Sequence, residues 1–77
     1  MKMIDPGIIK FTNHALLQMS KRNITREEVI TALNDPDEFK PGSHSNETIA
    51  VKRFGRKRVR VIYVSDPVEI RIITATL

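Results

Sequence analysis

Phe11-Thr12-Asn13-His14-Ala15-Leu16-Leu17-Gln18-Met19-Ser20-Lys21-Arg22-Asn23-Ile24-Thr25-Arg26-Glu27-Glu28 is the stretch around which the chain can be organised. It reads as one short helix followed by the start of a second. Thr12 or Asn13 can cap the first helix, because a short polar side chain there accepts a free backbone N–H of the first turn. On a helix His14, Gln18 and Arg22 are four residues apart and share one face, with Lys21 beside them. Ala15, Leu16 and Met19 point the other way, toward a core. The helix ends near Arg22-Asn23. Thr25 to Glu28 then form a capping box, in which hydroxyl and carboxylate each take a backbone amide of the other. Glu27 and Glu28 also suit the positive end of a helix. Val29, Ile30 and Leu33 give the second helix its apolar face, and Asn34-Asp35-Pro36 stops it.

Upstream, Gly7 opens a short apolar run, Ile8 to Phe11, that reads as a first strand. Downstream, residues 35–47 are polar and turn-rich, with a short extended piece around Glu38-Phe39-Lys40. Three strands follow: Thr48 to Phe54, Val59 to Val64 and Val68 to Thr76, joined by turns at Gly55-Arg56 and Ser65-Asp66-Pro67. β-branched residues dominate these runs, and Pro67 falls where a turn tolerates it. The expected fold is α+β in the order β-α-α-β-β-β, with two helices on one face of a small, mostly antiparallel sheet. Residues 1–77 make one domain, and no repeat or low-complexity tract interrupts them.

The totals narrow the function classes. With 77 residues there is room for one modest core. No cysteine is present, which excludes disulfides and thiolate metal sites. No segment has the roughly 20 apolar residues of a membrane span. The N-terminus, Met1 to Pro6, lacks the apolar run of a signal peptide, so a cytoplasmic protein is expected. The formal charge is +4 and the sequence pI about 9.9, a balance suited to phosphate backbones.

The cations are concentrated. Lys52-Arg53-Phe54-Gly55-Arg56-Lys57-Arg58-Val59-Arg60 crosses a predicted hairpin rather than a tail. Alternation puts Val59, Val61 and Tyr63 on one face and Arg58, Arg60 and Ile62 on the other. Likewise Ile49, Val51 and Arg53 share one face, and Ala50, Lys52 and Phe54 the other. Arg71 joins the basic surface from the last strand, with Glu69 nearby. Lys52, Arg53, Arg58 and Arg60 are the candidates for holding a nucleic-acid backbone without reading its sequence. The bland alternative is a charged hairpin that discourages edge pairing.

His14 and Arg22 combine a group that moves protons with one that binds phosphate, although the same spacing fits the solvated side of any amphipathic helix. His44 sits in a polar loop. The two histidines and the scattered carboxylates make no metal-ligand spacing, and no phosphate loop or serine elbow is present. No metal or other cofactor is expected. Tyr63 is expected to pack. Thr74 is a hydroxyl in an otherwise apolar last strand.

Phe11-Thr12-Asn13-His14-Ala15, then Met19, Arg22-Asn23-Ile24-Thr25 and Glu27-Glu28-Val29, resembles the opening of a family of small bacterial and archaeal domains of unknown function. Those domains look related to RelE-type and BrnT-type toxins, in the barnase–EndoU–colicin–RelE group of ribonucleases. Val68-Glu69-Ile70-Arg71-Ile72-Ile73-Thr74-Ala75 is similar to the family's final strand. The resemblance covers nearly the whole chain and implies a RelE-like topology, with His14 and Arg22 in the site and Thr74 close by. The family often has an arginine where this chain has Gln18, and a glycine where it has Asn23.

The resemblance implies a metal-independent endoribonuclease-like, RNA-binding domain, the toxin half of a toxin–antitoxin pair, acting on RNA free or on the ribosome. The RNA's 2′-hydroxyl would be the nucleophile. His14 would transfer protons, Arg22 stabilise the phosphorane, and Thr74 add a hydrogen bond. The rival is a non-catalytic basic module for nucleic acid or an acidic protein. Aromatics are few, so stacking on single-stranded bases has little support.

Overall fold

The computed structural model describes residues 4–44 and 46–77; Met1, Lys2 and Met3 of the N-terminal segment, and Ser45 of the His44 loop, lie outside the described residues. After a 3-10 turn at Pro6–Ile8, the elements are β1 (Ile9–Phe11), α1 (Asn13–Arg22), α2 (Arg26–Asn34), β2 (Glu38–Pro41), β3 (Glu47–Phe54), β4 (Lys57–Ser65) and β5 (Ile70–Thr76). One sheet of five strands runs β1-β5-β4-β3-β2. Only β1 is parallel to its neighbour; the other pairs are antiparallel. The fold is α+β. The extended piece at Glu38 is a true edge strand, so the sheet has one strand more than the expected β-α-α-β-β-β order. Ile8 belongs to the 3-10 turn, and Val68 to the last loop, where it is exposed.

Local chemistry sets the helix ends. The Thr12 side chain accepts the Ala15 N–H at 3.1 Å and donates its own proton to the Ile72 carbonyl at 2.8 Å. One hydroxyl therefore caps α1 and ties it to β5. Asn23 closes α1 in the left-handed region, at φ 58°. Its N–H and that of Ile24 return to the Ser20 and Met19 carbonyls, while Met19 and Ile24 meet in the core. This is the Schellman arrangement, which favours glycine and tolerates asparagine. Thr25 and Glu28 form the expected capping box. The Glu28 carboxylate also meets Lys57 Nζ at 2.9 Å. The Thr25 N–H and then Lys57 hold its pKa below the ordinary glutamate value. Gly55 opens the two-residue β3–β4 turn at φ +64°, a conformation that favours glycine.

Both helices cover the same face of the sheet. Ala15, Met19, Ile24, Val29, Ala32 and Leu33 pack on Ala50, Val59, Val61, Tyr63, Ile70, Ile72 and Ala75 in one cluster. Ile49 and Val51 are buried yet stand outside that cluster. They belong to the opposite face, which no helix covers.

Candidate nucleic-acid interface

Strand alternation and register build the uncovered face in rows. Nearest the β3–β4 turn, Arg58 faces Arg53. In the next row Thr76, Arg60, Val51 and Glu38 lie side by side from β5 to β2. Thr74, Ile62, Ile49 and Lys40 follow. The farthest row holds Lys10, Arg71, Val64 and Glu47. Two cationic ends thus flank an aliphatic middle, about 20 Å apart along β4. Only two of these cations are ion-paired among the described residues. Arg58 meets Glu38 at 3.4 Å, and Arg71 meets Glu69 at 3.2 Å.

Lys52 is on the other face. It pairs with Val59, a core residue, and its Nζ reaches Asp35 at 3.0 Å and Asp37 at 3.8 Å. The hydrogen bond to Asp35 first, with the field of both carboxylates, raises its pKa above the ordinary lysine value. Lys57 is likewise turned to the helix side, bonded to Glu28 and the Asn23 carbonyl. The dense run at 52–60 therefore splits: Arg53, Arg58 and Arg60 line the open face, while Lys52 and Lys57 tie the sheet to the helix layer. Lys10 and Lys40 join the open face through strand pairing. Lys10 was recoverable from the alternation Ile9-Lys10-Phe11; Lys40 lay in a segment with no strand signal beyond three residues.

All four aromatics fall on the helix side. Phe11 and Phe54 pack against the core, Tyr63 is in it, and Phe39 pairs with Ala50. Burial raises the Tyr63 pKa, and its hydroxyl is remote from the open face. The open face therefore offers guanidinium, ammonium, hydroxyl and aliphatic groups, with no ring for bases to stack on.

His14 and Arg22 are exposed on α1, Gln18 is half-buried between them, and Ala15 and Met19 are buried. The row lies on the flank of the helix rather than opposite the core. Arg22 Nε donates to Gln18 Oε1 at 3.2 Å. That bond draws the guanidinium back along the helix toward His14, and among the described residues its two terminal nitrogens have no partner. At the other end, Thr12 also reaches the Ile73 carbonyl, at 3.2 Å. The His14 end of α1 is therefore fixed against the part of β5 where the register shifts between Ile62 and Tyr63. Ile73 is the extra residue there, and Thr74, opposite Ile62, faces the open side. His14 and Thr74 each lie within two residues of this anchor. Arg22 is about 12 Å along the helix from His14, and Arg53, Arg58 and Arg60 belong to the opposite layer. His44 is exposed in its loop, apart from both groups in the chain's pairing scheme. Among the described residues no group of three or more His, Asp or Glu side chains is arranged to hold a metal. No helix there is long and apolar enough to cross a membrane.

The family model described as a domain of unknown function, DUF4258, matches residues 11–76. No curated protein matches the chain, and no solved structure does.

Proposed function

We propose, for a chain that belongs to the DUF4258 family of domains of unknown function, that it is an RNA-binding domain of RelE-like topology with metal-independent endoribonuclease chemistry. The uncovered sheet face holds the RNA backbone through Arg53, Arg58 and Arg60, with Lys10, Lys40 and Arg71 at its margins. Lys52 is left out of that role by its carboxylate partners. His14 transfers protons between the 2′-hydroxyl and the leaving oxygen, Arg22 offers a guanidinium to the crowded phosphorus, and Thr74 donates a hydrogen bond from the sheet edge. The observation that carries this reading is the bifurcated hydrogen bond of the Thr12 hydroxyl to the Ile72 and Ile73 carbonyls. It supports His14 and Thr74 as neighbours at the border of a cationic sheet face.

In a cell, such a protein is the toxin of a toxin–antitoxin pair. Its antitoxin presents an acidic segment to the Arg53–Arg58–Arg60 end. Its place of action is the cytoplasm, on free or ribosome-bound RNA. The test is incubation of purified protein with RNA, with and without ribosomes, and identification of the product ends. A 2′,3′-cyclic phosphate made by wild type and lost in His14→Ala supports the chemistry. Folded wild type that binds RNA and leaves every RNA intact would leave the second reading, a basic binding module. The exposed cations and the lack of a ring on the open face favour that module equally.

A further inference from the structure

Arg53 and Arg58 are direct partners across β3 and β4, and Arg60 lies two residues beyond Arg58 on the same face. The Cβ atoms of three guanidinium side chains therefore fall within about 5–8 Å of one another. Like charges placed directly opposite destabilise a sheet. The local compensation is partial: the Asp37 carboxylate accepts the Arg53 backbone N–H at 2.8 Å without pairing its guanidinium. Glu38 meets Arg58 at 3.4 Å, and among the described residues Arg53 and Arg60 have no ion pair. Arg60 adds a second, independent feature. Its Nε is shut off from solvent and has no hydrogen-bond partner in the described structure. Buried donors are almost always satisfied, so an orphan calls for an acceptor. Beside it across the strand pair is Val51, wholly buried although no helix covers that face; its flanking neighbours are Arg60 and Glu38. The Arg60 stem is thus laid across an apolar floor. There the local dielectric is low and a charged hydrogen bond gains strength. Thr76, itself half-buried, pairs with Arg60 on the other side and carries a hydroxyl.

We propose that Arg53, Arg58, Arg60 and Thr76 form a phosphate-binding subsite at the turn end of the open sheet face. Its ligand is a single phosphate group, taken from an RNA backbone or from a free phosphoester. The subsite deepens the reading above, and rests on it only for the source of the phosphate. Planar guanidinium forks match a tetrahedral oxyanion with paired hydrogen bonds. A bound phosphate relieves the Arg53–Arg58 repulsion and gives the terminal nitrogens of half-buried Arg60 an acceptor, while the shut-off Nε holds the guanidinium with no competing partner.

The experiment is a two-dimensional amide NMR titration of the full chain with inorganic phosphate, against chloride at matched ionic strength. Saturable shifts confined to residues 51–53, 58–60 and 76, absent with chloride, are expected. Arg60→Met keeps a stem over Val51 and removes the guanidinium. It should weaken phosphate binding roughly tenfold or more, the scale of one charged hydrogen bond. Arg53→Gln, at an exposed position, should act in the same direction without touching the floor, and serves if Arg60→Met does not fold. Lys52→Met removes the same charge from the opposite face and should leave the affinity unchanged. Shifts spread equally over Lys10, Lys40 and Arg71, or reproduced by chloride, would overturn the subsite. So would phosphate binding unchanged in Arg60→Met and Arg53→Gln. A parallel titration with single-stranded RNA separates the two proposals. Phosphate held at Arg60 by a protein that binds no RNA upholds the subsite and removes the RNA reading. RNA bound equally by wild type and Arg60→Met, with phosphate binding weakened in the variant, upholds the subsite for a free phosphoester and takes Arg60 out of the RNA interface.

Discussion

The hydroxyl of Thr12 donates to the Ile72 carbonyl at 2.8 Å while accepting the Ala15 N–H at 3.1 Å. It is at once the cap of α1 and its attachment to β5. Thr12→Ala removes both side-chain bonds and leaves the Ala15 N–H and the Ile73 carbonyl without the hydroxyl, while the Ile72 carbonyl keeps the backbone N–H of residue 12 at 3.3 Å. Losing an N-cap alone costs about 1 kcal/mol, with an upper range near 2. The expected loss is at or above that upper range, measured by urea unfolding. Thr12→Ser keeps the oxygen and should recover most of it. If the anchor also sets His14 against β5, Thr12→Ala should depress RNA cleavage more than Thr12→Ser at a temperature where both are folded.

Asn23 at φ 58° gives a second stability test. An L-residue with a Cβ loses roughly 1–2 kcal/mol in that region, and asparagine is less penalised than most. Asn23→Gly should therefore be neutral or slightly stabilising, and Asn23→Ala destabilising by about 1 kcal/mol. Equal stability of the two variants would mean that the turn relaxes out of the left-handed region.

These two positions also mark what local sequence could reveal. Thr12, the Thr25–Glu28 box, the stop at Asn34 and the Gly55 turn depend on neighbours within a few residues, and each was legible. The edge strand β2 was legible only as an extended fragment. It has four residues, two of them Lys40 and Pro41, and its ladder with β3 arises from pairings across the intervening loop rather than from its own pattern. Alternation put Lys52 and Arg53 on different faces correctly. It could not say which face lay under the helices in charge terms, because the acids that capture Lys52 come from the α2–β2 connection. The bulge at Ile73 turns Thr74 to the open face, and no local pattern announces it. Gln18 likewise reads in isolation as a missing cation; only its bond to Arg22 reveals that it can aim one.

Acid should weaken the fold through Glu28. Its folded pKa lies below the ordinary value of 4.5, because the Thr25 N–H and Lys57 favour the carboxylate. A depressed carboxylate contributes stability that is present above its unfolded pKa and lost as pH falls through its folded pKa. Asp66 acts with the same sign, since the Glu69 and Val68 N–H groups lower its pKa. Unfolding free energy should therefore fall as pH drops below about 4.5. Glu28→Gln should be less stable at neutral pH and should flatten part of that acid dependence, leaving the Asp66 share. A pH profile parallel to wild type would show that the Glu28–Lys57 contact does not differ between folded and unfolded chains.

His14 and Arg22 should fail differently if they share the proposed chemistry. His14→Ala should slow cleavage by about 10²–10⁴, the usual worth of a general acid or base, with RNA binding nearly intact. Arg22→Lys keeps the charge and loses the fork, so cleavage should slow with binding partly kept. Gln18→Leu, which frees Arg22 from its 3.2 Å bond, should resemble a mild Arg22→Lys. EDTA should change none of these rates. Full activity in His14→Ala, or activity abolished by EDTA, would remove the mechanism.

The two faces of the β3–β4 hairpin should separate in the salt dependence of RNA binding. Each phosphate contact on a single strand contributes about −0.7 to the slope of log affinity against log salt, through release of a condensed counterion. Arg58 and Arg60 point to the uncovered face, so replacing both with alanine should flatten the slope by up to about 1.4. Lys52→Met removes a charge only a few residues away, but one held by Asp35 at 3.0 Å on the helix side. Its slope should match wild type, although its fold should be slightly weaker for the lost pairing with Asp35 and Asp37. Net charge alone would predict a graded effect, with Lys52→Met about half as strong as the double variant. Measuring all three slopes on one RNA therefore distinguishes a directional interface from a diffuse positive field. A Lys52→Met slope flattened like that of either arginine would place the contact around the hairpin rather than on the sheet face.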